Sequence, residues 1–152
     1  MRLIAIGKAS HDAPEGVLFA RYAARIKPAL ILLELPYGYG GPAEIKKREA
    51  DALLAAIGPQ DFVVALDGGG RAPDSAGLAV LFGKWAEAGK KINFVIGGAE
   101  GLDARVIARA GALLSLGPMT WPHMLVRPML AEQIYRAQMI RAGHPYHRSG
   151  RP

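Results

Sequence analysis

The sequence predicts an α/β fold, a mostly parallel β-sheet with helices on both faces. Three observations carry that prediction. Five short apolar runs recur along the chain, separated by segments of helical period, the alternation that builds βα units. Those runs are nearly continuously apolar, the pattern of strands covered on both sides. Three of them end in glycine or a glycine-containing turn, as tight strand-to-helix connections require.

Residues 2–7 read as the first strand, and residues 13–27 as a helix with Leu18, Tyr22 and Ile26 four apart on one face. Residues 29–35 form a second strand, stopped by Pro36 and the turn-rich Tyr37-Gly38-Tyr39-Gly40-Gly41-Pro42. A helix over 43–57 places Ile45, Leu53, Ala56 and Ile57 near one stripe, and Gly58-Pro59 ends it. The third strand covers 62–67 and gives way to Gly68-Gly69-Gly70. Ser75 then serves as N-cap of a helix whose core stripe is Leu78, Leu81, Phe82 and Trp85. A fourth strand over 92–96, a short helix over 103–110 and a fifth strand over 113–116 follow. The last helix starts near Val126, which keeps Pro128 in its first turn, and runs to about Ala142 with Val126, Leu130, Ile134 and Ala137 inward. Residues 1–152 read as one domain, with 149–152 as a disordered tail.

The chain has 152 residues, 51% of them apolar, enough for a sizeable core. It has no cysteine, which excludes disulfides and thiolate chemistry and fits a reducing cytoplasm. No apolar stretch approaches the roughly 18 residues of a membrane span, and the N-terminus lacks the pattern of a signal peptide. The expectation is a cytoplasmic protein with no membrane association. Nineteen Lys and Arg against 13 Asp and Glu leave a net charge of +6. The cations cluster at Lys46-Lys47-Arg48, at Lys90-Lys91, and at Arg127, Arg136, Arg141, Arg148 and Arg151, a distribution suited to a nucleic-acid partner.

Leu66-Asp67-Gly68, Ile96-Gly97-Gly98 and Leu116-Gly117-Pro118 fall at the carboxyl ends of strands, where parallel sheets bind ligands. The run Gly97-Gly98-Ala99-Glu100-Gly101 lacks the spacing of a dinucleotide fingerprint, and neither a P-loop nor a G-x-S-x-G elbow occurs. His144 and His147 lack a carboxylate partner nearby, so no metal site is expected. His123 reads equally well as a loop-packing or a functional residue, and Trp121 as a stacking or a core residue. The ending His144-Pro145-Tyr146-His147-Arg148 concentrates proton-accepting, hydrogen-bonding and phosphate-binding groups in five positions, beyond what solubility needs.

Taken together, these segments resemble a known family. Residues 95–102 with their glycines, Thr120-Trp121-Pro122-His123, Arg127, the run 132–137 and the Tyr-His-Arg ending are similar to the RlmH family, small methyltransferases of the SPOUT superfamily. The likeness extends from Arg2 to Arg148. It implies a C-terminal trefoil knot, a homodimer and S-adenosyl-L-methionine as cofactor. The implied reaction methylates N3 of the pseudouridine at position 1915 of 23S rRNA within the assembled ribosome. By motif, the cofactor-binding residues would be Leu66, Gly97, Leu116, Gly117, Pro118, Met119, Thr120 and Trp121. The catalytic residues would be Tyr146, His147 and Arg148.

In that scheme His147 accepts the imide proton, Arg148 holds a phosphate or the imidate anion, and Tyr146 stacks on or hydrogen-bonds the base. A rival mechanism gives His147 only an orienting role, with water taking the proton. Two rival functions stay open at the level of sequence: a non-catalytic RNA-binding module on a methyltransferase fold, and a methyltransferase for another RNA base. Trimming residues 146–148 is expected to remove little core.

Overall fold

The computed structural model describes residues 1–10 and 12–148, so the tail expected at 149–152 lies outside the described residues. Five strands, β1 (Arg2–Ile6), β2 (Ile31–Leu35), β3 (Phe62–Arg71), β4 (Ile92–Ile96) and β5 (Ala112–Leu114), alternate with five helices. The helices are α1 (Pro14–Ala23), α2 (Pro42–Ala56), α3 (Ser75–Glu87), α4 (Ala104–Arg109) and α5 (His123–Arg141). The strands lie in the order β2-β1-β4-β3-β5, and every pairing is parallel.

Strand periodicity divides the core in two. Leu3 and Ala5 of β1, Val64 of β3 and Phe94 and Ile96 of β4 face α1, α3 and α5, packing with Phe19, Phe82, Trp85, Leu130 and Ile134. Ile4, Ile6, Val63, Ala65 and Val95 point the other way, against Ala50 and Leu53 of α2 and Val106 of α4. Helices on both faces explain why the strands read as continuous apolar runs. Near the amino ends of the strands a polar cluster pins the sheet. Asn93, fully buried in β4, donates from Nδ2 to Asp61 at 2.6 Å, and Arg2 donates from Nε to Asn93 Oδ1 at 2.9 Å and from Nη2 to Asp61 at 3.1 Å.

The structure corrects five readings of local sequence. Helix α1 stops at Ala23 rather than at 27, tightening into i→i−3 turns in which Arg25 N–H donates to Tyr22 O at 2.9 Å and Ile26 N–H to Ala23 O at 3.2 Å. Its buried face carries Phe19, with Ile26 just beyond the helix, while Leu18 is exposed. The helix is turned so that the larger ring meets the core. Strand β3 continues through the glycines to Arg71. Leu114 of β5 is in register with both Leu66 and Arg71, so residues 67–70 carry a shift of register between the two pairings. A Cβ on Gly70 would lie 2.7 Å from the Leu113 carbonyl carbon and the Leu114 nitrogen, an approach only glycine allows.

The cap of α3 is Asp74, whose Oδ1 accepts the Gly77 N–H at 2.7 Å; Ser75 instead donates its hydroxyl to Gln133 of α5 at 2.9 Å. Helix α5 begins at His123, so Pro128 stands inside it rather than in its first turn. Its ring removes the bond to the Met124 carbonyl but is buried. Starting the helix earlier brings His123 to the carboxyl edge of the sheet.

Candidate functional site

The carboxyl ends of β3, β4 and β5 open into a cavity of about 650 Å³, within the range of roughly 300–1,000 Å³ usual for small-molecule and cofactor sites. Leu66, Asp67 and Gly68 line it from β3, and Gly97 and Gly98 from the end of β4. The third wall is the segment from β5 to α5, with Leu116, Gly117, Pro118, Met119, Thr120 and Trp121 all lining the space. The eight residues that the resemblance named for the cofactor therefore converge on one cavity.

Local chemistry shapes that wall. Gly117 has φ +108, a left-handed conformation, and the Ser115 hydroxyl braces it by donating to the Gly117 carbonyl at 3.0 Å and accepting its N–H at 3.2 Å. The loop thus turns back over the sheet edge and offers backbone groups to the cavity. Its lining is mostly apolar, with Ile96, Leu114 and Leu116 beneath. The Trp121 indole Nε1 is buried without a hydrogen-bond partner among the described residues. An orphaned donor in a cavity wall is costly unless a ligand acceptor completes it. An apolar, glycine-edged pocket with an unsatisfied donor fits a nucleoside-containing cofactor with a planar base.

His123 closes the cavity at the N-terminus of α5. Its Nε2 lies 3.0 Å from the Tyr37 hydroxyl, with the rings edge to face at 5.9 Å. Burial, then the nearby Arg127 charge, pull the imidazole below its ordinary pKa against the opposing influence of Glu49, so the ring is neutral near pH 7. Glu49 is only 4% exposed; its Oε1 accepts the Gly38 N–H at 3.2 Å, and its Oε2 has no partner among the described residues. Neither Tyr37 nor Glu49 was marked as functional by sequence. Glu49 carried a usable signal, because it adjoins the apolar face formed by Ala50 and Leu53.

The terminal group is placed differently. Tyr146 and His147 are partly buried and Arg148 is exposed, and none of the three lines the cavity within this chain. Tyr146 folds back on α5, donating its hydroxyl to Glu132 Oε1 at 3.1 Å and packing edge to face on Tyr135 at 4.8 Å. Arg136 holds the same carboxylate with Nε at 3.0 Å and Nη2 at 2.6 Å, and its guanidinium lies 4.9 Å from the Tyr146 ring centroid. Burial first, then hydrogen bonding with Tyr22 and Glu132, push the Tyr146 phenol above its ordinary range. It is a protonated donor throughout the neutral range. The His147 Nδ1 is buried and unpartnered among the described residues. His144 Nδ1 accepts the Tyr146 N–H at 3.1 Å, and no group of three or more metal-ligating side chains occurs among the described residues.

The basic cluster near the end is also redistributed. Arg127 is 2% exposed and donates to Glu34 at 2.6 Å and to the Ile6 and Gly7 carbonyls at 2.8 Å each. Arg136 is committed to Glu132, and Arg141 lies 3.6 Å from Glu87. These three cations are paired within the chain, and Arg127 is out of reach of any polyanion.

Residues 1–147 match the family model described as "Predicted SPOUT methyltransferase". A relative from Acidiphilium cryptum named "Ribosomal RNA large subunit methyltransferase H" is 58% identical over 152 residues, covering all of this chain and 96% of the relative. One of the same name from Gluconacetobacter diazotrophicus is 57% identical, covering all of this chain and 99% of its own. A crystal structure of a protein assigned to a methylase family, from Neisseria gonorrhoeae, superposes with a TM-score of 0.54 at 14% identity, covering 99% of this chain and 87% of that one. At that identity the superposition speaks for the fold alone.

Proposed function

This chain belongs to the SPOUT methyltransferase family, and from that premise we propose that it transfers a methyl group from S-adenosyl-L-methionine to large-subunit ribosomal RNA. The observation that carries the proposal is the convergence of Leu66, Gly97 and residues 116–121 on one cavity at the carboxyl edge of the sheet. The relatives' shared name supplies the substrate class. In finer detail we infer N3 of the pseudouridine at position 1915 of 23S rRNA as the acceptor, a homodimer as the working unit, residues 1–152 as a single methyltransferase domain and the cytoplasm as its place. No helix among the described residues is long and apolar enough to cross a membrane. The double registration of Leu114 with Leu66 and Arg71 supports a chain that loops around the end of β5, as a trefoil knot requires.

When bound, the cofactor supplies an activated sulfonium methyl. The residues around it have three tasks. Leu66, Leu116 and Pro118 would hold the donor and exclude water from it, and the unpartnered Trp121 N–H would donate to it. The acceptor base must be positioned in line and must lose its N3 proton. We assign positioning to Tyr146 and Arg148 and proton acceptance to His147, whose unpartnered Nδ1 supports that role. As the tail lies on α5 and not at the cavity of its own chain, these residues reach a reacting base only if RNA, tail or a second chain closes the gap.

Isothermal titration with S-adenosyl-L-methionine tests the site. One-site binding that weakens at least tenfold in Trp121→Ala supports it. Absence of binding by the wild-type chain would leave only an RNA-binding role.

A further inference from the structure

The loop between β2 and α2 presents two exposed tyrosine rings. Tyr39 is 70% exposed and Tyr37 is 50% exposed, whereas Tyr22, Tyr135 and Tyr146 pack on one another around α5. Two exposed aromatics on a glycine-rich loop would ordinarily be mobile. Here α2 fixes them from below. Glu49 accepts the Gly38 N–H at 3.2 Å, Glu44 accepts the Gly41 N–H at 3.1 Å, and Arg48 donates to the Tyr39 hydroxyl at 2.9 Å. The Arg48 guanidinium also lies 4.0 Å from the Tyr39 ring centroid, a cation–π contact that orients the ring. At its other end the loop reaches the cavity, because the Tyr37 hydroxyl meets His123 at 3.0 Å.

Three cations, Lys46, Lys47 and Arg48, stand beside the rings, while the Glu44 and Glu49 carboxylates there accept loop N–H groups. Among the described residues no carboxylate lies within ion-pairing distance of Lys46, Lys47 or Arg48. Pre-oriented rings beside cations free of direct ion pairs are the chemistry of single-stranded nucleic-acid binding, where rings stack on bases and cations track the phosphates. An apolar protein partner would leave those cations without counter-charge.

We propose that Tyr37, Tyr39 and Arg48, flanked by Lys46 and Lys47, form a platform on which an unpaired RNA nucleobase stacks beside the mouth of the cofactor cavity. The platform rests on the reading of this chain as an RNA methyltransferase and adds a substrate-positioning surface outside the cavity and the terminal Tyr-His-Arg group. The stacked base is a neighbour of the target nucleotide, and stacking holds the local strand open so that the target can enter.

Tyr39→Ala, Tyr39→Phe and Tyr39→Leu separate stacking from other contacts, and an exposed position makes all three compatible with folding. Two readouts are needed: the KM for ribosomes in steady-state methyl transfer, and the affinity for a fluorescein-labelled single-stranded oligoribonucleotide by anisotropy. The Ala and Leu variants should weaken both by about fivefold or more, the lower end for one lost base stack. The Phe variant should recover both, with cofactor affinity unchanged in every variant. Unchanged values in the Ala variant would overturn the platform, as would rescue by Leu equal to that by Phe. A rise in KM with oligonucleotide affinity unaffected would assign the surface to a ribosomal protein and also overturn it. Failure of the wild-type chain to methylate ribosomes would instead strike the functional reading, while the oligonucleotide arm still tests the surface.

Discussion

Tyr146 donates its hydroxyl to Glu132 Oε1 at 3.1 Å, which ties the last aromatic residue of the described chain to the middle of helix α5. The same carboxylate accepts two bonds from Arg136. Tyr146 is therefore held in a defined place before any substrate arrives, and it contributes to folding as well as to the proposed chemistry.

Truncation after Pro145 tests both contributions. The methyl-transfer rate in single turnover should fall by roughly two or more orders of magnitude, the scale of lost positioning and general-base catalysis. Stability should also fall, by about 1–3 kcal/mol for the aromatic pair and the charge-assisted hydrogen bond, or roughly 2–10 °C in Tm. That loss exceeds the small one expected from a tail lying free beyond the last helix. Tyr146→Phe should keep the ring contact with Tyr135 and recover part of the stability. Calorimetry beside the rate measurement checks both, and a normal rate in the truncated chain would make the terminus passive.

Two glycines of the cavity should respond differently to valine. A Cβ on Gly97 would lie 3.0 Å from Leu102 Cδ2 and 3.2 Å from the Gly101 carbonyl carbon, so Gly97→Val should destabilise the loop after β4 along with cofactor binding. A Cβ on Gly68 meets nothing within 4 Å, so Gly68→Val should fold normally while its branched side chain crowds the cavity. Thermal melts paired with cofactor titration give the comparison. Unweakened cofactor binding in Gly68→Val would move the ligand away from β3.

Arg127→Ala should be among the most destabilising single changes. It removes a buried cation, leaving two main-chain carbonyls without that donor and Glu34 with only the Ala9 N–H, at a cost of about 3–5 kcal/mol. Arg141→Ala breaks only an exposed pair at 3.6 Å and should change stability by about 0.5 kcal/mol or less. Urea unfolding of the two variants measures the difference.

Asp61 makes stability depend on acid. Burial alone would raise its pKa, but hydrogen bonds from Asn93 and the Gly58 N–H, with the Arg2 charge, hold it below the ordinary 3.8. A folded-state pKa below the unfolded one stabilises the protein above about pH 4, and that stabilisation is lost as pH falls through the folded value. Asp61→Asn should therefore lower stability at pH 7 and flatten its dependence on pH below 4. Urea unfolding at pH 3 and pH 7 checks the sign.

Much of this architecture is legible in the chain itself. The five apolar runs mark the five strands because a sheet covered on both faces needs no polar alternation, as Leu3-Ile4-Ala5-Ile6 shows. The cavity wall at 116–121 is legible too, since a Gly-Pro turn after a strand can hardly continue into a helix. Other features depend on distant partners. The continuation of β3 through Gly68-Gly69-Gly70 rests on pairing with β5, more than 40 residues later, and glycine's own propensity argues against it. Leu18 and Phe19 are equally apolar, and only packing against α5 and the sheet selects Phe19. Arg127 looks like any surface cation until Glu34 and the end of β1 are brought beside it. Tyr37 meets His123 only because β2 and α5 deliver their ends to the same edge.

Methylation of ribosomal RNA is read out on ribosomes themselves. Ribosomes lacking the modification are incubated with the purified chain and methyl-labelled S-adenosyl-L-methionine, and the labelled nucleotide is mapped by mass spectrometry. A single labelled site in 23S rRNA is expected, the pseudouridine at position 1915 carrying its new methyl on N3. Label on another nucleotide, or none in the RNA while the chain still binds the cofactor, would contradict it.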